Sequence, residues 1–160
     1  MAWRDVVRDS DRDAVRRLVS ATGFFSPAEE DIAVELVDDA LANGTGSEYR
    51  FLFADGADGE PEGYACYGPV TPGATRFDLY WIAVAPARQR GGLGRALLAE
   101  AERRAVAEGA GEMTIDTAGR PQYAPTRAFY ERMGYAVLEV VWDFYSVGDD
   151  KVVYRKSLAG

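Results

Sequence analysis

The 160-residue chain contains no histidine and a single cysteine, Cys66. Without histidine, the Ser-His-Asp and Cys-His nucleophilic arrangements are excluded, as are the usual zinc sites, so no metal is expected. One cysteine excludes an intramolecular disulfide, and Cys66 reads as a small buried apolar residue. Lysine is confined to Lys151 and Lys156. No run of 18 or more apolar residues occurs, so no membrane span is expected. The opening Met1-Ala2-Trp3-Arg4-Asp5 does not have the basic-then-apolar form of a signal peptide, which points to the cytoplasm. A formal net charge of −8 argues against nucleic acid as a partner.

What is present is the composition of an ordinary globular protein, 48% hydrophobic and 28% charged, in a length that suits one domain over residues 1–160. A short strand is expected over 3–7 and a helix over 11–19, with Ser10 as N-cap and Val15, Leu18 and Val19 on its apolar face. Ser26-Pro27-Ala28-Glu29 is a capping box with proline at the first helical position. It opens a helix that should bury Ile32, Leu36, Val37 and Leu41 and stop at Asn43-Gly44. Strands follow over 49–54, 63–67 and 77–84, then a helix over 92–108, a strand over 113–117 and a helix over 125–133. Strands over 135–145 and 152–156 flank the Gly148-Asp149-Asp150 turn. The fold class is α/β, in the order β-α-α-β-β-β-α-β-α-β-β.

The segment 81–98, WIAVAPARQRGGLGRALL, is the most informative. An apolar strand enters a turn of glycine and arginine that opens directly into a helix. Glycines there admit a ligand close to the backbone. The unpaired N–H groups of the helix's first turn make an anion site, and Arg88, Arg90 and Arg95 add full charges. A P-loop would need a lysine in the turn, and the nearest is Lys151. A dinucleotide fingerprint would need a third glycine or alanine where Leu97 stands. The pattern that fits is Q-x-x-G-x-G, carried by Gln89, Gly92 and Gly94. In this strand-turn-helix setting it resembles the acyl-CoA loop of the GNAT (Gcn5-related N-acetyltransferase) superfamily. A second stretch, 123–135, is similar to the family's N-x-x-A-x-x-x-Y-x-x-x-G-[FY] at Tyr130, Gly134 and Tyr135, and departs from it at Tyr123 and Thr126. The element order also resembles the GNAT fold, a mostly antiparallel mixed sheet flanked by helices.

The resemblance implies an enzyme that moves an acetyl group from acetyl-CoA to an amine by direct transfer. With no histidine and no poised cysteine, a covalent acyl-enzyme is disfavoured. The implied donor site is Gln89, Arg90, Gly91, Gly92, Leu93, Gly94 and Arg95 around the pyrophosphate, with Ile82, Ala83 and Val84 beside the pantetheine arm in the manner of an added strand. The Val84 N–H is a candidate for the thioester oxygen. Tyr130 is the expected general acid, on a helix face apart from the pair Phe129 and Met133. For the base, the alternatives are Asp78 and a chain of waters, with Tyr80 as a relay; even spacing puts 78, 80, 82 and 84 on one strand face. The acceptor pocket is expected at Phe24 and Phe25 and along the late strands at Trp142, Phe144 and Tyr145, with Tyr80 beside it. The acceptor is expected to be a small-molecule amine. A protein or peptide N-terminus, or a non-catalytic acyl-CoA sensor, is the alternative. Both monomer and homodimer are open, since exposed strand edges can pair between copies.

Overall fold

The computed structural model describes residues 2–158. One seven-stranded sheet organises the chain, in the order β1-β2-β3-β4-β5-β7-β6. The strands are β1 (Trp3–Arg4), β2 (Arg50–Asp55), β3 (Pro61–Pro69), β4 (Arg76–Val84), β5 (Glu112–Ala118), β6 (Ala136–Ser146) and β7 (Asp149–Ser157). The helices are α1 (Asp11–Ser20), α2 (Pro27–Asn43), α3 (Leu93–Ala107) and α4 (Ala124–Arg132). All neighbouring strands run antiparallel except β4 and β5, which α3 joins by a crossover.

Two apolar clusters lie on the two faces of the sheet. Val15, Leu18, Val19 and Val37 pack on Phe51, Phe53, Tyr64 and Cys66. Leu93, Leu97, Leu98 and Ala101 of α3 pack on Leu52, Ala65, Phe77, Leu79 and Met113, with Tyr130 and Tyr135 behind them. Cys66 is fully buried and free, as its composition context implied. Gly63 of β3 gives α3 its close approach, because a Cβ there would sit 3.0 Å from Leu97 Cδ1 and 3.2 Å from the Ala83 carbonyl.

The helix signals divide. The Ser26 capping box is complete: Ser26 Oγ accepts from the Glu29 N–H at 3.2 Å, and Glu29 Oε1 accepts from the Ser26 N–H at 3.0 Å. Ser10, in contrast, makes no side-chain cap; Asp11, the first residue of α1, instead ties the incoming chain to the helix by accepting from the Arg8 N–H at 2.7 Å. The buried face of α2 is Ala33, Val34, Val37 and Ala40, while Ile32 is exposed. Small residues win that face because α2 lies close against α1 and the aromatic sheet surface.

Three features of the sheet bear on function. First, β4 carries a bulge: Tyr67 faces Leu79 and Cys66 faces Trp81, so Tyr80 is an extra residue. The bulge resets the alternation. Ile82 and Val84 pack with Phe77 and Leu79 in one cluster, whereas Tyr80, Trp81 and Ala83 belong to the other. The expectation that 78, 80, 82 and 84 share one face is therefore wrong. Second, β4 and β5 pair only from Arg76↔Glu112 to Leu79↔Ile115, and beyond the bulge they part. Third, β6 forms an edge with Val137, Leu138, Trp142, Phe144 and Tyr145 exposed. Trp142 and Phe144 had been expected at the acceptor pocket and are at the surface instead.

Candidate functional site

The gap between the parted ends of β4 and β5 is a cleft of about 720 Å³ that passes through the sheet. Its walls on one side are Leu79 to Val84, and on the other Ile115 to Ala118. Gln89, Arg90 and Gly94 close one end with Pro125, Thr126, Phe129 and Tyr130 of α4. Thr22, Phe24, Phe25, Glu29, Tyr123 and Tyr145 stand around the other.

The backbone of β4 offers donors to this gap. The Ala85 N–H is bonded to the Glu62 carbonyl at 2.8 Å, toward β3. Strand alternation then turns the N–H and C=O groups of Val84 and Ile82 away from β3 and into the cleft. Those of Ala83, paired with Tyr64, point back into the sheet. Of the three residues expected along an extended ligand arm, Ile82 and Val84 thus present free backbone groups and Ala83 does not. Gln89 Nε2 reaches the Val84 carbonyl at 3.3 Å, tying the turn to the strand end.

The turn itself holds two left-handed residues, Arg90 at φ 67° and Gly92 at φ 84°. Gly92 is the N-cap of α3 and provides no side-chain cap, so the first-turn amides of a 15-residue helix face outward. Leu93 is buried beneath the turn and anchors it. Arg90 and Arg95 are exposed and form no ion pair among the described residues, while Arg88 is bound to Glu62. Gly94 lies against Phe129 and Val84; a Cβ there would make ordinary contacts at 3.7–3.8 Å. The arrangement is an anion site at the mouth of a slot.

Tyr130 lies within the cleft wall, but not on the outlying helix face expected for it. At 6% exposure it is the one buried residue of α4, with Phe129 and Met133 packed around the same cluster. Its ring meets those of Tyr135 and Tyr154 at 6.2 and 6.1 Å. Burial alone pushes its phenol well above the usual tyrosine range, so the hydroxyl keeps its proton. Asp78 is placed differently. It does not line the cleft; its carboxylate accepts from Thr114 Oγ1 on the α2 side of the sheet, with Arg76 4.0 Å away. Burial raises the Asp78 pKa against the opposing effects of Thr114 and Arg76. Tyr80 lines the cleft, and its hydroxyl points to the Pro69 carbonyl at 3.5 Å beside the Tyr49 ring.

Phe24 and Phe25 both line the acceptor end, Phe24 meeting Tyr123 at 5.1 Å and Phe25 meeting Trp81 at 4.9 Å. Sequence reasoning missed Tyr123, Asp116 and Glu29. Tyr123 had been weighed only as a departure from an asparagine. It sits in a short helical turn, Pro121–Tyr123, and the carbonyls of Ala118 and Arg120 just before that turn accept from Arg127 at 2.7 and 3.0 Å. Asp116 was detectable in principle: β5 turns Met113 and Ile115 to the core, so 116 falls on the opposite face, past the last pairing with β4. Among the described residues no group of three or more potential metal ligands occurs, and no helix is long and apolar enough to cross a membrane.

Comparison with known proteins agrees with this geometry. The model of the acetyltransferase (GNAT) family matches residues 13–135. A solved structure from Desulfovibrio desulfuricans, described as a GNAT-family acetyltransferase, is 49% identical over 99% of both chains, with a TM-score of 0.95. An aminoglycoside 6'-N-acetyltransferase solved with coenzyme A shares the fold at 16% identity, covering 100% of this chain and 98% of its own, with a TM-score of 0.79. The ribosomal-protein-S18-alanine N-acetyltransferase of Escherichia coli does so at 20% identity, covering 99% and 94%, with a TM-score of 0.77. A search of curated protein sequences returns no match. The family match over most of the chain and the near-identical architecture of a half-identical relative lead to one conclusion: this protein belongs to the GNAT family of acetyltransferases.

Proposed function

We propose that the protein transfers an acetyl group from acetyl-CoA to the amine of a small molecule, with both substrates bound together. The observation that carries this reading is the cleft between β4 and β5, which joins the anion-binding turn to the aromatic chamber. In it, the diphosphate of the donor rests on the amides of residues 89–95 and the first turn of α3, with Arg90 and Arg95 adding charge. The pantetheine arm lies along β4, exchanging hydrogen bonds with Ile82 and Val84 as an added strand would. Gln89 steadies the Val84 carbonyl, and the Val84 N–H faces the thioester oxygen.

The chemistry then follows. The amine nitrogen attacks the thioester carbon, the C–S bond breaks, the excess proton on nitrogen leaves, and the departing thiolate takes a proton or a hydrogen bond from Tyr130. A buried, protonated phenol suits that last role, because a thiolate of conjugate pKa about 8.5 is stabilised by a nearby donor. The position of Asp78 outside the cleft favours a chain of waters as the route for the amine proton. Holding both substrates in line supplies much of the remaining rate.

The contact of Phe24 with Tyr123 narrows the acceptor mouth, which supports a small amine over a peptide N-terminus. Thiol release from acetyl-CoA, measured over amines, amino acids and short peptides with calorimetry of CoA alongside, tests the proposal. Release with small amines is expected. Release with peptides only would replace the acceptor class, CoA binding without any release would replace the enzyme by a sensor, and failure to bind CoA would overturn the donor site.

A further inference from the structure

The acceptor chamber has a charge pattern that acyl transfer by itself does not require. On the side covered by α1 and α2 its walls are Phe24, Phe25, Tyr80, Trp81, Tyr123 and Tyr145. The charged groups lining that side are two carboxylates, Glu29 of α2 and Asp116 of β5, while the remaining charged wall residue, Arg90, belongs to the turn at the donor end. Neither carboxylate has an ion-pair partner among the described residues. Glu29 uses Oε1 for the Ser26 N–H and keeps its other oxygen free. The neighbouring arginines are engaged elsewhere, Arg120 with Asp149 at 3.1 Å and Arg76 beside Thr114 and Asp78. Burial, and after it the charges of Asp116 and Asp149, hold the Tyr145 phenol above its ordinary range, with Glu29 adding to them, so these groups converge on one place.

Electron-rich ring faces and uncompensated carboxylates attract the same kind of group, an ammonium. The amine that attacks must be neutral at the moment of reaction and lies deep, beside the thioester. Glu29, on the first turn of α2, and Asp116, on the β5 wall, are both solvent-exposed, so the charge they complement is one that stays in contact with water. Phe24 and Tyr123, from two separate connections, meet at 5.1 Å and narrow this end. Resting on the acetyl-transfer reading above, we propose that the acceptor is a diamine: one amino group reacts at the thioester while the second, a cation, is held by Glu29 and Asp116 against the aromatic wall.

The test uses 1,4-diaminobutane, n-butylamine and 4-aminobutyrate, matched in length but carrying a second positive charge, none and a negative one. Calorimetry on the CoA-saturated protein is expected to show the diamine binding at least about ten-fold tighter than butylamine, with aminobutyrate weakest. Asp116→Asn and Glu29→Gln should each erase most of that preference by weakening the diamine far more than butylamine; glutamine at 29 preserves the capping box. Because the two carboxylates are exposed, the preference should also shrink between about 20 mM and about 0.5 M salt. Equal binding of diamine and butylamine, no diamine binding at all, or variants that weaken all three alike would overturn the proposal. Thiol release measured in parallel separates the two readings. Acetylation of butylamine as efficient as that of the diamine defeats the charge-reading site alone, whereas charge-selective binding without release of thiol from any amine defeats acetyl transfer alone.

Discussion

Tyr130 illustrates how a residue's surroundings decide its chemistry. Its neighbours Phe129, Tyr135 and Tyr154 remove water from the phenol and raise its pKa, which weakens it as a stoichiometric acid and secures it as a permanent donor. Tyr130→Phe is expected to lower kcat roughly ten-fold or more with a smaller change in KM, the loss of a donor used at the transition state. The pH profile follows from the sign of the shift. A raised pKa keeps the neutral form to higher pH, so kcat should show no falling limb from Tyr130 up to about pH 10, the ordinary value for tyrosine. A limb below that pH that disappears in the phenylalanine variant would contradict the raised pKa. For Asp78, the asparagine variant should leave the rising limb of the rate profile in place, since its carboxylate is bonded to Thr114 outside the cleft.

Another residue-scale expectation concerns Arg4. Its guanidinium is nearly buried, bonded to Asp11 at 2.8 and 2.9 Å and to Asp55 at 2.7 and 3.1 Å, and it stacks over Phe53 at 4.4 Å. Burial lowers the Arg4 pKa, and the bonds to the two carboxylates more than offset it, so the charge persists. Asp11→Ala would leave that charge half-partnered and remove the Arg8 N–H acceptor that begins α1. Breaking a buried pair from one side costs about 3–5 kcal/mol, to be read from chemical unfolding.

At the scale of elements, the chain's regular structure was largely legible, and its irregularities were not. Hydrophobic periodicity and punctuation located every helix and strand to within a few residues, because Ser26-Pro27, Asn43-Gly44 and Gly134 act locally through backbone geometry. The bulge at Tyr80 leaves no local trace, being set by how Cys66 and Tyr67 meet the partner strand. That single residue inverted the face expected for Asp78. Tyr130 was misplaced for a related reason: helical spacing shows which side chains share a face, but not which face the sheet will cover. Asp116, Glu29 and Tyr123 come from β5, the first turn of α2 and the connection before α4, so no spacing within the sequence links them.

The turn before α3 makes an element-scale prediction. Gly92 caps that helix in the left-handed region, where an L side chain costs about 1–2 kcal/mol. Gly92→Val should therefore lower stability by about that amount and weaken CoA binding further, because a branched Cβ crowds the amides proposed to hold the diphosphate. Thermal unfolding and CoA calorimetry separate the two effects. Unchanged CoA affinity in a destabilised variant would move the diphosphate away from the turn.

For the whole molecule, helices cover the two faces of the sheet unevenly. Strands β2, β3 and β4 are enclosed by α1 and α2 on one side and by α3 on the other. β6 pairs only with β7 at the edge, and nearly all of its residues are exposed. Opening free energies should follow that pattern, since local stability tracks the apolar contacts a segment makes. Amide hydrogen exchange is expected to be slowest in β3 and β4 and fastest, among the long strands, along β6. Equal protection of β6 in dilute solution would mean that something covers this edge.

The bulge at Tyr80 also bears on what kinds of change this chain tolerates over evolutionary time. Most surface loops here accept an added or lost residue at little cost, because their ends are held independently. In β4, deleting Tyr80 would restore a regular ladder with β3 and leave the faces of Trp81 to Val84 as they are, because Leu79 and Trp81 already lie on opposite faces. What would be lost is the local kink and extra twist that a bulge gives its strand, at the point where β4 parts from β5. Substitution at position 80 leaves that kink intact, whereas a change in length there removes or displaces it. The segment between Leu79 and Trp81 is thus constrained in its length more than in its identity, and descendants of this sequence should vary there by replacement and not by insertion or deletion.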